Sequence, residues 1–245
     1  NVIITAAGNT AITNDAALAL QGTVTGTLAA TATTGGITDS SNLSASGNVT
    51  LNDVATAGIT LGTLEADANV ILTAAGNTAI TNDAALALQG TVTGTLDATA
   101  TTGDITDSDA LAVSGASVFT LGADGTNITL DSAANAFSGA VTLKAGSSGG
   151  QTFGNIVFVD SGAIDFDSAA SADGDLFLDG GTDNTVGGTL AVTATTGGIT
   201  DSATIAVTGD LTLNDVATAG ITLDTLEADA NVILTAAGNT AITNQ

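Results

Sequence analysis

Residues 1–34 read NVIITAAGNTAITNDAALALQGTVTGTLAATATT, and residues 69–102 repeat them with two changes, Leu72 for Ile4 and Asp97 for Ala29. The opening fourteen residues return a third time at 231–244, with Leu234 in place of Ile4. GNVTLNDVATAGITLGTLEADA at 47–68 comes back as GDLTLNDVATAGITLDTLEADA at 209–230. The first pair is offset by 68 residues, which divide into units 1–24, 25–46 and 47–68. Periods of this size mark stacked repeat architectures, because one unit cannot bury an apolar face alone.

A finer period shows in the dipeptide Ile-Thr. It begins at Ile12, Ile37, Ile59, Ile80, Ile105, Ile128, Ile199, Ile221 and Ile242, mostly 21 to 25 residues apart. Ile156 and Leu178 fill the one long gap. Each unit reads as short strands such as Asn48-Val-Thr-Leu, Gly58-Ile-Thr-Leu and Asp210-Leu-Thr-Leu, in which apolar residues alternate with Thr. That is the period-2 pattern of a half-buried strand, and Val, Ile and Thr favour the pleated backbone. No helical period is sustained. Even the Ala-rich stretch Asp15-Ala-Ala-Leu-Ala-Leu is soon interrupted by Gly and β-branched residues.

The pattern predicts an all-β fold, a right-handed parallel β-helix (β-solenoid) of about 10–11 coils of roughly 22–24 residues. One continuous segment spans 1–245, with regular repeats at 1–114 and 187–245 and divergent coils at 115–186. Asn14, Asp39, Asn82, Asp107, Asp201 and Asn244 each follow Ile-Thr, and are expected at corners in a stacked polar ladder. Gly supplies further corners. The absence of Pro suits strands that must all donate their N–H groups. Both ends are ordinary repeat sequence, so the expected neighbours are adjoining repeats of the same longer chain or further copies stacked end to end.

The 245 residues carry 25 acidic side chains against one base, Lys144, for a net charge of −24. There is no His, Cys, Met, Pro, Trp or Tyr. These counts exclude His general bases, thiol nucleophiles and His- or thiolate-ligated zinc. Without a basic footprint, nucleic acid is excluded as a simple electrostatic partner. No apolar run approaches the roughly 18 residues of a membrane-spanning helix. Eleven coils at about 4.8 Å each give a rod on the order of 50 Å, with about one charge per 2 Å, close to the density of duplex DNA. Such a rod is expected to gather divalent cations.

GNVTLNDVATAGITL, NVILTAAGNTAIT and GGTLAVTATTGGITDS resemble the degenerate repeats of very large secreted adhesins related to filamentous haemagglutinin, over essentially the whole chain. Those proteins leave the cell by two-partner secretion or autotransporter routes and form right-handed β-helical shafts. The Asn-Pro motifs of that family's secretion domain are not matched, since this chain has no Pro. The resemblance implies a non-catalytic structural shaft of an extracellular bacterial surface fibre or giant adhesin. Such a shaft is secreted, displayed on the cell surface, and gives length, stiffness and attachment to a host or neighbouring cell, with no required cofactor.

The middle of the chain differs from its flanks. All six Phe lie between 115 and 186, as does Lys144, which is expected on the surface. Asp160, Asp165, Asp167, Asp173, Asp175, Asp179 and Asp183 are the candidate Ca²⁺ ligands, because Ca²⁺ takes six to eight oxygens. The competing expectation is acidic corners around coils widened to hold Phe. Asp165 and Asp167, two apart on a strand, are also spaced as an inverting glycosidase pair would be. A second alternative is ice binding by a column of Thr13, Thr38, Thr60, Thr81, Thr106 and Thr129, although ice binders need two regular Thr ranks.

Overall fold

The computed structural model describes residues 1–145, 152–167, 169, 172, 174–180, 182, 183 and 185–244. No helix occurs among them. The first strands are β1 (Val2–Ala6), β2 (Thr10–Asn14), β3 (Leu18–Val24), β4 (Leu28–Ala32), β5 (Ile37–Ala45), β6 (Val49–Asp53) and β7 (Ile59–Ala66). They continue as β8 (Val70–Ala74), β9 (Thr78–Asn82), β10 (Leu86–Val92), β11 (Leu96–Ala100), β12 (Ile105–Val113), β13 (Ser117–Leu121) and β14 (Ile128–Leu130).

Among these fourteen, odd-numbered strands stack in one sheet and even-numbered strands in a second, and later strands continue the two stacks. Each turn of the chain therefore contributes one strand to each sheet. The path through the second sheet passes eleven strands, so the chain is a parallel β-solenoid of about eleven turns. Backbone hydrogen bonds run along the long axis from each turn to the next. One described pairing is antiparallel, between Asp175–Gly180 and Thr182–Asp183.

Alternation along each strand fixes which residues face inward. In β6, Val49, Leu51 and Asp53 are buried while Thr50 and Asn52 are half-buried. In register, Leu28, Val49, Val70 and Leu88 form one interior column. Burying each such side chain contributes about 1.5–3 kcal/mol, and the same inward-outward alternation in successive turns makes the core a continuous thin seam.

Turn length is uneven around its mean. In-register partners lie 18 residues apart between β1 and β3 and 21 apart between β4 and β6. The interval rises to 28 from Ile128 to Ile156 and 34 from Ile156 to Leu190. Phenylalanine fills that wider interior. Phe119, Phe153, Phe158 and Phe166 are fully enclosed, and Phe137 stacks on Phe158 at 5.4 Å while meeting Phe119 edge-on at 5.9 Å. Phe177 departs from this pattern: its place in Asp175–Gly180 turns it outward, half-buried.

Two glycine positions are required by geometry. Gly22 and Gly90 sit within β3 and β10 at φ of 114° and 115°, where the register shifts by a bulge. A Cβ on either would lie 2.0 Å from the carbonyl oxygen of Ile4 or Leu72 below. At one corner Gly76, Gly94, Gly115 and Gly139 lie directly over one another, and a Cβ on the upper three would come within 2.6–2.7 Å of the backbone beneath. The stacking distance of a parallel sheet leaves no room there for a side chain.

The 68-residue sequence repeat does not coincide with a whole number of turns. β8, the twin of β1 in sequence, lies seven strands further along, which is three and a half turns. The copies at 1–34 and 69–102 consequently occupy opposite sheets, whereas 47–68 and 209–230 fall on the same ones. This also redistributes the Ile-Thr pairs: Ile12, Ile105 and Ile128 lie in the second sheet, and Ile37, Ile59 and Ile80 in the first.

Candidate functional site

Most of the polar side chains with defined geometry tie one turn to the next. The three carboxylates following Ile-Thr act alike. Asp39 Oδ2 accepts the N–H and hydroxyl of Thr63 at 2.5 and 2.8 Å. Asp107 accepts the N–H groups of Asp131 and Ser132 at 3.0 and 2.9 Å and the Asn135 amide at 2.6 Å. Asp201 accepts the N–H groups of Asp224 and Thr225 at 2.7 and 2.9 Å. In each case the chain above bulges away from the ladder, and the carboxylate satisfies the N–H groups left over.

Residues just before a strand form a second ladder. The Asn127 N–H reaches Asp104 Oδ1 at 2.8 Å, Asn155 N–H reaches Asn127 Oδ1 at 2.7 Å, and Thr189 N–H reaches Asn155 Oδ1 at 3.0 Å. Asn9 and Asn77 accept the N–H of Thr27 and Thr95 in the same way, each at 3.0 Å. Thr33, Thr34, Thr101 and Thr102 direct their hydroxyls to carbonyl oxygens of the turn below.

Asn82 shows why Asx residues suit these places. Its Oδ1 accepts the Ala66 N–H at 2.8 Å and its Nδ2 donates to the Ala66 carbonyl at 3.1 Å. The side-chain amide thus replaces one residue of strand where the 18-residue turn falls short of the longer turn beneath. Asn244 occupies the same register position over Leu226.

Buried carboxylates form a third group, which the sequence reading missed. Asp53 and Asp215 end their strands on inward phase, and each holds a loop by accepting the N–H of Gly58 at 2.9 Å or Gly220 at 2.7 Å. The signal was available: in VTLND the Asp shares the parity of the buried Val and Leu. The exposed carboxylate of Asp124 accepts the N–H of Thr152 at 2.8 Å and its hydroxyl at 3.1 Å, and these two bonds hold its carboxyl below the usual range.

The candidate Ca²⁺ ligands are spread over several environments. Asp160 is buried and accepts the N–H groups of Phe137 and Gly162 at 2.8 and 3.2 Å. Asp165 faces outward, with Thr200 and Ser202 hydroxyls on its two oxygens at 2.9 and 2.6 Å. Asp175 neighbours Asp165 in register and accepts the Ala172 N–H at 2.5 Å. Asp179 lies in register with Lys144 and pairs with its ammonium at 3.2 Å. Asp167 follows the strand that carries Asp165. Asp173 and the Asp183 side chain lie outside the described residues. Among the described residues, no group of three or more acidic side chains is arranged to share a metal ion.

The Thr column of the ice-binding alternative divides between the sheets. Thr38 pairs with Thr60 in the first sheet, but Thr60 then meets Ala79; Thr106 and Thr129 adjoin in the second. One column that does form is Thr13, Thr31, Asn52, Thr73 and Thr91. The rank beside it is Ala11, Ala29, Thr50, Ile71 and Gln89, so a second Thr rank is missing there.

Stacked turns held by inter-turn Asx and Thr bonds define a repeat β-solenoid. The chain belongs to the family described as repeats of unknown function (DUF5649), whose profile matches it three times in tandem, at residues 7–74, 75–144 and 153–229. The first match runs from β2 through β8, seven strands. Neither the curated proteins nor the solved structures gave a match.

Proposed function

We propose that this chain is a shaft segment of an extracellular bacterial surface fibre or giant adhesin, whose task is length, stiffness and attachment. The observation that supports this most is the ladder itself. Polar side chains with defined geometry are used mainly to bind turn to turn, and the same few sequences are reused to extend the stack. Adjoining repeats of the same longer chain, or further copies, are its immediate neighbours in this reading, and a host or neighbouring-cell surface is its eventual target. Stability in such a stack is a sum of neighbour terms, so lengthening it costs no redesign of the core.

The test is imaging of the source cells with an antibody raised against this chain. Labelled filaments projecting beyond the cell envelope, and loss of label after protease treatment of intact cells, are the expected results. Label confined to the cytoplasm would overturn the proposal.

A further inference from the structure

The structural unit of this solenoid is the half-turn, and the 68-residue repeat contains an odd number of them. Residues 1–34 and 69–102 show that one sequence is accommodated equally well on either sheet. β3 and β10 have the same sequence, carry the same bulge glycine at the same φ, and lie under β5 and β12 with the same register shift. Asn9 and Asn77 cap opposite corners with the same 3.0 Å bond.

The geometry points to a transposable unit: gain or loss of one 68-residue repeat changes the rod by three and a half turns, about 17 Å at the parallel-sheet spacing. It also moves everything beyond to the opposite face. Near-identical repeats are the substrate for such exchange, and here every junction that exchange creates already exists in the chain. Removing residues 35–102 joins Thr34 to Gly103. β12 then rests on β3, the twin of its present neighbour β10, and β13 rests on β4, the twin of β11. The two substituted positions, Ile4 for Leu72 and Ala29 for Asp97, are the main changes in the contacts. Reading this as control of shaft length and of the face presented rests on the shaft proposal. The structural claim stands or falls separately.

The experiment uses disulfide trapping, which the absence of native Cys makes unambiguous. In the whole chain Thr91 and Ala112 are in-register neighbours, while Thr23 adjoins Thr5 and Ser44. Adjacent parallel strands put Cα atoms within disulfide reach. The pair Thr91→Cys and Ala112→Cys should therefore cross-link in the whole chain, and Thr23→Cys with Ala112→Cys should not. In the variant lacking 35–102, Thr23→Cys and Ala112→Cys should cross-link nearly completely, with the β-type circular dichroism and cooperative melting retained. A second variant, with an extra copy of 35–102 inserted after Thr102, should stay folded and measure about 17 Å longer by small-angle scattering. Loss of cooperative melting in both variants, or a folded deletion variant in which positions 23 and 112 remain unlinked, would overturn the inference. The cell-imaging result bears on neither outcome.

Discussion

Gln21 and Gln89 hold the same place in two nearly identical sequences and stand on opposite sheets of the rod. Each receives a hydrogen bond from a serine of the next turn, Ser40 to Gln21 at 2.9 Å and Ser108 to Gln89 at 2.8 Å. The two sheets are thus chemically interchangeable surfaces of one winding, and perturbations can be compared directly between them.

The bulge glycines provide the sharpest comparison. Gly90→Ala places a Cβ 2.0 Å from the Leu72 carbonyl oxygen in a backbone region that disfavours side chains. It should cost about 2–4 kcal/mol in denaturant unfolding. Gly62→Ala, with no atom within 4 Å of its Cβ, should change stability by less than about 0.5 kcal/mol.

Removing a buried loop clamp should matter more than removing an exposed one. Asp215→Ala leaves the N–H groups of Gly220 and Ala217 without their acceptor and should cost about 2–3 kcal/mol. Asp201→Ala, whose donors water can reach, should cost about 1 kcal/mol. Amide exchange at Gly220 should accelerate in the first variant and stay unchanged in the second.

Asp124 should respond to acid with a defined sign. Because its carboxyl is held below the ordinary carboxylate value of 3.8, the stability it contributes is complete above that value. It is lost as pH falls through the lower, folded-state pKa. An NMR titration following the Thr152 amide should show its midpoint below 3.8, and Asp124→Asn should abolish that transition. A midpoint above 3.8 would refute the assignment of these bonds.

Phenylalanine substitutions should separate inward from outward positions in the widened turns. Phe137→Ala opens a hole between Phe119 and Phe158 and should cost about 3–5 kcal/mol. Phe177→Ala, on the outer surface, should cost about 1 kcal/mol or less.

Charge density calls for a cation test. At matched ionic strength, millimolar Ca²⁺ should raise the melting temperature relative to chelator, because counterions relieve the repulsion of 24 net negative charges. Equal melting temperatures would dispose of this expectation.

The winding was legible in the sequence because alternation and recurrence are both local signals. Val49, Leu51, Val70 and Leu72 announce their inward phase without knowledge of their neighbours. What could not be read was which strand lies over which. The Ile-Thr pairs suggested one recurring corner; Ile37 does lie in register with Ile59 and Ile105 with Ile128, but the 68-residue repeat holds three and a half turns and so carries each pair to the other sheet. The inter-turn role of Asp39, Asp107 and Asp201 depends on bulges at Gly62, Asp131 and Asp224 some twenty residues away, which nothing around the carboxylates records. Asp53 and Asp215 were legible by parity alone, because each shares the phase of the buried Val or Leu in its strand.

Since the backbone bonds between layers lie along the rod, a pull on its tip loads the outermost layer alone. That layer peels before the one beneath is strained, and 18 to 21 freed residues release on the order of 60–75 Å of slack. Under tension the molecule would behave as a reel of line, yielding in steps that a force-extension trace would display as teeth, longer where the 28- and 34-residue turns give way.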